Sequence, residues 1–247
     1  MSVAARMAAN EAAIEVSDLV KSFGTFYALR GVSLTVQAGE GVTIFGPNGA
    51  GKTTFLRILS ALSRPSSGEV RFHGKSLKDD PFLLRRQLGV IGHQTFLYDD
   101  LTAAENLFFY ARLYDVPSPQ ARLEQLLAEV GLERRAHDRV RSFSRGMQQR
   151  LAIARAMLHD PGILFLDEPY TGLDQHAAMM LTNWLQKLRT ERRTIMLVTH
   201  DLAQGLAMAD RVAIFLQGRI IWEERAANIA AENFQQTYFD LIASGGK

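Results

Sequence analysis

Gly41-Val42-Thr43-Ile44-Phe45-Gly46-Pro47-Asn48-Gly49-Ala50-Gly51-Lys52-Thr53-Thr54 is the stretch on which the fold turns. From Gly46 onward it fits G-x-x-x-x-G-K-[ST] in full. The five residues before the loop are β-branched and aromatic, as a buried strand requires. The residues after it, Phe55-Leu56-Arg57-Ile58-Leu59-Ser60-Ala61-Leu62, carry apolar side chains at helical spacing. A strand, a glycine loop and a helix in that order form a phosphate cradle. The glycines let the backbone approach an anion closely, and the N–H groups at the helix start face it. Lys52 reaches the β- and γ-phosphates as a point charge, and the Thr53 hydroxyl can ligate Mg²⁺. The stretch therefore predicts a nucleoside triphosphate site.

Composition narrows what surrounds this site. The chain has 247 residues, 47% hydrophobic and 22% charged, with a net charge of +2. That suits one large α/β domain, or such a core with an inserted lobe. So small a net charge gives no bulk field for nucleic acid, and the arginines at 85–86, 134–135 and 189–193 read as solvated helix ends. Cysteine is absent, which excludes disulfides and thiolate metal sites and fits a reducing compartment. No apolar run approaches the ~20 residues that span a bilayer. Residues 1–12 lack the apolar core of a secretion signal and read as a disordered leader. A membrane role would need another chain to supply the membrane part.

Outward from the loop, residues 14–45 alternate apolar and polar and predict antiparallel strands, and 69–73 a short strand after the turn at 65–68. From 97 to 158 the pattern becomes helical. Thr102-Ala103-Ala104-Glu105 is a capping box, Ser118-Pro119 reads as a cap before a first-turn proline, and Ser144 caps a third helix. The core resumes at Ile163-Leu164-Phe165-Leu166, a continuous apolar run expected of a parallel strand buried on both faces. A helix through Trp184, a strand at 194–198, a helix capped by Asp201, a hairpin turning at Gln217-Gly218 and a helical tail from 226 complete the chain.

Two further signals carry chemistry. Asp167-Glu168 ends the apolar strand: the first carboxylate can hold Mg²⁺, and the second can polarise the water that attacks a γ-phosphate. Ser144-Arg145-Gly146-Met147-Gln148-Gln149-Arg150 opens a helix, where free N–H groups and the positive dipole end can receive an anion.

With these motifs in this order the chain strongly resembles the ABC ATPases, the nucleotide-binding subunits of ABC transporters, from about residue 14 to 224. The resemblance implies an α/β fold: a RecA-like mixed sheet core, an antiparallel β subdomain and an inserted helical signature lobe at about 97–158. One domain would span 13–225 and a helical tail 226–247. It implies ATP and Mg²⁺ as ligands, and roles residue by residue. Phe23 matches the aromatic that stacks on adenine, with a core phenylalanine as the alternative. Gln94 matches a ligand of Mg²⁺ and water, Glu168 the general base and His200 the switch histidine at the γ-phosphate. Ser144 and Gly146 match the signature groups that a second, head-to-tail ATPase subunit presents to the nucleotide. Asp174, in Gly172-Leu173-Asp174, matches the loop that senses that subunit. A transmembrane permease would dock near Gln94, where Phe96, Leu97, Tyr98, Phe108 and Phe109 cluster, part lobe core and part socket. The chain would then lie peripherally on the cytoplasmic face of the inner membrane, with no direct nucleic-acid or haem binding.

The signature departs from the family pattern, with Arg145 in place of a glycine and Met147 in place of a glutamine. The simplest expectation is that Arg145 points into solvent. Tyr170 after Pro169, the segment from Gln94 and the Ser-Arg-Gly-Met signature look most like haem-exporter subunits of cytochrome c maturation. The alternatives are another exporter, of drug, lipid or polysaccharide, and a soluble ABC ATPase acting on nucleic acid or the ribosome.

Overall fold

The computed structural model describes residues 11–92 and 94–245. The expected leader lies outside the described residues up to position 10, and its last residue, Ala12, opens the first strand. Strands β1 (Ala12–Phe23) and β2 (Phe26–Gln37) pair antiparallel, as the alternation predicts. They are followed by β3 (Gly41–Phe45), α1 (Lys52–Leu59), β4 (Ser67–Phe72), β5 (Lys75–Ser76), α2 (Pro81–Arg85) and β6 (Leu88–Ile91). Helices α3 (Ala103–Leu113), α4 (Pro119–Glu129) and α5 (Arg145–Ala156) make the lobe. The chain closes with β7 (Ile163–Asp167), α6 (Gln175–Thr190), β8 (Thr194–Val198), α7 (Leu202–Ala207), β9 (Arg211–Leu216), β10 (Arg219–Arg225) and α8 (Ala231–Ala243).

The strands form two sheets. One is antiparallel, in the order β2-β1-β4-β5. The other has the order β10-β9-β3-β8-β7-β6, parallel throughout except for the β9–β10 hairpin. Strand β3 thus leaves the antiparallel set that precedes it, as its fully buried run requires. Side-chain alternation makes the second sheet the middle layer. Ile163, Phe165, Met196 and Val198 face the core beneath the antiparallel sheet and α1. Leu164, Leu166, Ile195 and Leu197 face the helical lobe and α6. A one-residue slip in β7 or β8 would exchange the two cores, so both fix the register.

Local chemistry sets most helix ends. Thr102 and Glu105 make a reciprocal capping box, and Asp201 accepts from the Gln204 N–H at 2.9 Å. Ser118 differs from expectation: it sits at φ 49° and makes no side-chain cap. A capping serine needs extended backbone to aim its oxygen at the first turn, and the left-handed conformation removes that aim. Helix α6 runs on past Trp184 to Thr190, because Leu185 and Leu188 continue its apolar face into the lobe core. The tail breaks into a short 3₁₀ turn and α8, whose Phe234 packs 5.3 Å from the Phe45 ring. The arginine clusters act partly as fastenings. Arg189 pairs with Asp210 at 2.6 Å, and buried Arg193 pairs with Asp160 at 2.5 Å.

Candidate nucleotide-binding site

Strands β3, β8, β7 and β6 are adjacent and parallel, so their carboxyl ends share one edge of the sheet. The glycine loop leaves β3, Asp167 and Glu168 end β7, His200 follows β8 and Gln94 follows β6. This is where open α/β sheets place ligands. The loop cannot be built from other residues. Gly46 has φ +148°, and a Cβ there would lie 2.2 Å from the Phe215 carbonyl oxygen; Gly51 has φ +104°, and its Cβ would meet Ala28 O at 2.4 Å. Both obstacles are backbone of neighbouring strands. Gly218 N–H donates to Ala50 O at 2.9 Å and ties the loop to the β9–β10 turn.

Lys52 is buried, and its ammonium donates to Gly46 O at 2.5 Å and Pro47 O at 3.0 Å. Burial lowers its pKa, while the nearby carboxylates of Glu168 and Asp167 pull it back up. The carboxylates at the end of β7 therefore lie within electrostatic reach of the cradle lysine. Thr53, Gln94 and Asp167, the three expected metal ligands, line one cavity of about 320 Å³. A hydroxyl, an amide and a carboxylate are hard oxygen donors suited to Mg²⁺. Among the described residues no group of three or more His, Cys, Asp or Glu could hold a metal instead.

Glu168 has φ 51°, rare outside glycine, at a cost of about 1–3 kcal/mol that persists where the surroundings hold it. Its N–H donates to Val198 O at 2.8 Å. Its Oε2 accepts from His200 Nδ1 at 2.7 Å and from the His200 N–H at 3.4 Å. The β7 and β8 ends thus fix a carboxylate and an imidazole on each other. The pair can orient a proton acceptor beside the phosphate cradle.

The lobe residues stand apart. Ser144 Oγ accepts from the Met147 N–H at 3.3 Å and caps α5; Asp174 Oδ1 accepts from the Ala177 N–H at 2.8 Å and caps α6. The two helix starts pack together, with a Cβ on Gly146 only 3.5 Å from that of Ala177. None of these residues lines the cavity at Thr53. Arg145 is exposed, in keeping with a side chain that points into solvent, and it also makes a contact that the sequence does not display. It crosses Gly172, where a Cβ would come within 2.5 Å of its Nε, and that Nε donates to Thr171 O at 3.4 Å.

Phe23 is 57% exposed, which removes the core alternative. It faces Phe26 across the hairpin and carries Lys21 Nζ 4.9 Å above its ring. Phe26 and Tyr27, not singled out in the sequence, are also exposed and complete an aromatic tip. That tip joins β1 to β2, and the β2 carbonyl of Ala28 abuts Gly51. Aromatic residues flanking the Gly24 turn were the available signal. Buried Gln149 was missed as well: its amide donates to Pro169 O at 3.2 Å and links α5 to the segment after Glu168. In the expected socket only Leu97 packs into the lobe core, while Phe96, Tyr98, Phe108 and Phe109 stay exposed.

Comparison with known proteins agrees with this geometry. A family model described as ABC transporter matches residues 29–171. The ABC transporter ATP-binding protein NatA of Bacillus subtilis is 40% identical over 198 residues, covering 79% of this chain and 80% of its own. The Nod factor export ATP-binding protein I of Paraburkholderia xenovorans is 37% identical over 225 residues, covering 90% of this chain and 74% of its own. A dimeric, post-hydrolysis structure of the ATP-binding cassette MJ0796 with ADP and Pi superposes with a TM-score of 0.80 at 31% identity, covering 87% of this chain and 100% of that one. Neither relative is named for haem, so haem export loses its support and the alternative of another exporter gains it. Among the described residues no helix is long and apolar enough to cross a membrane. A phosphate cradle on the shared strand edge, a signature lobe set to one side and these matches have one common explanation: the chain belongs to the ABC transporter family, as an ATP-binding subunit.

Proposed function

We propose that the chain hydrolyses ATP for an exporter whose cargo is not haem, and that the observation carrying this is the Glu168–His200 pair beside Lys52. The 46–54 loop cradles the phosphates, and Lys52 exchanges its two loop carbonyls for phosphate oxygens. Thr53, Gln94 and Asp167 hold Mg²⁺, which when bound neutralises charge on those oxygens. Glu168 takes the proton of the attacking water, and His200 keeps that carboxylate aimed while reaching toward the γ-phosphate. Phe23 stacks on adenine.

Two copies dock head to tail, each offering Ser144, Gly146 and Asp174 to the other's nucleotide. Support comes from the exposure of Ser144 and Asp174 away from the cradle, with Gly146 half-buried beside them, and from the dimeric relative with ADP and Pi. ATP then bridges the copies, and hydrolysis lets them part. A permease subunit receives that motion near residues 94–98 and holds the chain on the cytoplasmic face of the cell membrane. The Nod factor export relative supports export as the direction.

Replacing the base tests the reading. Glu168→Gln should slow phosphate release at least about 100-fold while ATP still binds and a nucleotide-trapped dimer accumulates. In cells the same variant should leave covalent haem attachment to c-type cytochromes intact. Wild-type turnover would remove Glu168 from its role, and loss of c-type cytochromes would restore the haem reading.

A further inference from the structure

We propose that Arg155, acting through Phe96 and Tyr110, is a positioning residue that holds Gln94 at the nucleotide site and ties its placement to the signature helix α5. The proposal rests on Gln94 being a ligand of Mg²⁺ and water. Gln94 sits in an exposed loop after β6, so something else must fix where its amide lies. Two residues on, Phe96 adopts φ 54°. A bulky aromatic in the left-handed region is an outlier that only strong external contacts sustain.

Those contacts are present on both sides of Phe96. Its carbonyl oxygen accepts from the Tyr110 hydroxyl at 2.5 Å. Burial raises the Tyr110 pKa, which keeps that hydroxyl protonated as a donor. The Arg155 guanidinium lies 5.5 Å from the Phe96 ring centre and 5.2 Å from that of Tyr110. Its Nη2 donates to Val90 O at 2.8 Å, near the end of β6. The loop that carries Gln94 is therefore gripped before and after that residue by one side chain.

Arg155 is a costly choice for this place. It is 7% exposed, its Nε is buried without a hydrogen-bond partner, and no carboxylate pairs with it among the described residues. A buried cation balanced by one carbonyl and two aromatic faces stabilises less than an apolar side chain of similar volume. What the planar cation adds is direction: it engages β6, Phe96 and Tyr110 at once. Val90 packs on the core beneath the antiparallel sheet, whereas Tyr110 and Leu97 pack on the lobe core. Arg155 spans that junction from the helix capped by Ser144. A tilt of α5 moves the guanidinium, then Phe96, then Gln94.

The test is the Mg²⁺ dependence of hydrolysis in the purified chain. Tyr110→Phe removes only the hydroxyl. It should raise the Mg²⁺ concentration for half-maximal rate about fivefold, the effect of one hydrogen bond, and lower kcat while ATP affinity without Mg²⁺ is unchanged. Arg155→Met should do more, and Arg155→Lys should fall between them, since lysine keeps the charge and loses the stacked plane. Gln94→Ala is the reference. If it raises the Mg²⁺ requirement and Tyr110→Phe, with unaltered Tm, does not, the latch is overturned. If Gln94→Ala leaves the requirement unchanged, the ligand reading of Gln94 fails instead. Should Arg155→Met not fold, Tyr110→Phe decides.

Discussion

The sheet edge and the lobe edge treat their polar side chains in opposite ways. At the sheet edge each group engages another group of the same site: Lys52 with the loop carbonyls, Glu168 with His200, and Thr53, Gln94 and Asp167 around one cavity. At the lobe edge Ser144 and Asp174 cap their own helices and remain exposed, and they line no part of that cavity. The first is a phosphate site whose groups are tied to one another. The second is a well-ordered surface with nothing of its own chain to act on. Such a division makes sense when the missing half of each site arrives on another molecule, and it gives the head-to-tail proposal its physical basis.

The sharpest way to break the comparison is to damage the sheet edge alone. Gly46→Ala puts a methyl 2.2 Å from Phe215 O, a backbone atom of a central strand that has no room to retreat. The loop must move instead, and a displacement near 1 Å costs about 100-fold in rate. We expect ATPase activity to fall at least that far and ATP binding to weaken with it, while the melting of the lobe is unaffected. Near-wild-type ATP affinity would mean that the cradle tolerates a geometry quite unlike the one described.

The lobe edge is tested by separating the two halves. Lys52→Ala chains carry an intact lobe edge, and Ser144→Arg chains an intact sheet edge; each alone should be inactive. In an equimolar mixture half the two-fold dimers are mixed, and one of the two sites in each is whole, so about a quarter of wild-type activity should return. Mixed dimers with no activity would show that the two edges do not complete each other across copies.

How much of this was legible beforehand follows from the range of the forces involved. The edges of β7 and β8, the capping box at Thr102 and the caps at Ser144 and Asp201 depend on neighbours a few residues away, and the sequence displays them. Ser118 was misread because its composition suits a cap while its backbone does not. The contact Arg145 makes was hidden because Gly172, against which it lies, is distant in sequence. The same distance hid Gln149, Arg155 and the exposed Phe26 and Tyr27, since periodicity says which face a residue takes and not what meets it there. The expected residues of the phosphate cradle, with Gln94, Asp167, Glu168 and His200, lie on one edge because four parallel strands run in one direction, a consequence of topology that motif order implied. Cargo was least legible: the residues that handle ATP carry no contact with what is moved, and a likeness at Tyr170 and Arg145 pointed to haem where the relatives point elsewhere.

The smallest expected effect lies where the two regions join. His159 follows α5, stacks on Tyr114 with ring centres 4.1 Å apart, and donates from Nε2 to Leu88 O at 3.0 Å. Its Nδ1 is buried without a hydrogen-bond partner among the described residues. A proton there would place a charge and an unmet donor in the seam between lobe and sheet, and burial accordingly pushes its pKa from 6.5 down to about 4. The sign follows from proton counting: between these two values the unfolded chain binds the proton and the folded chain does not, so stability rises with pH through that window. Stability should be full above pH 6.5 and decline as the pH falls toward 4, by up to about 3 kcal/mol in total. Urea unfolding at pH 5.0 and 7.5 measures it, with His159→Phe as the comparison, because phenylalanine keeps the stack and cannot titrate. The variant should lose less stability on acidification than the wild type, the difference reaching about 2 kcal/mol at pH 5. Equal losses would place the acid sensitivity in other groups and leave the seam indifferent to pH.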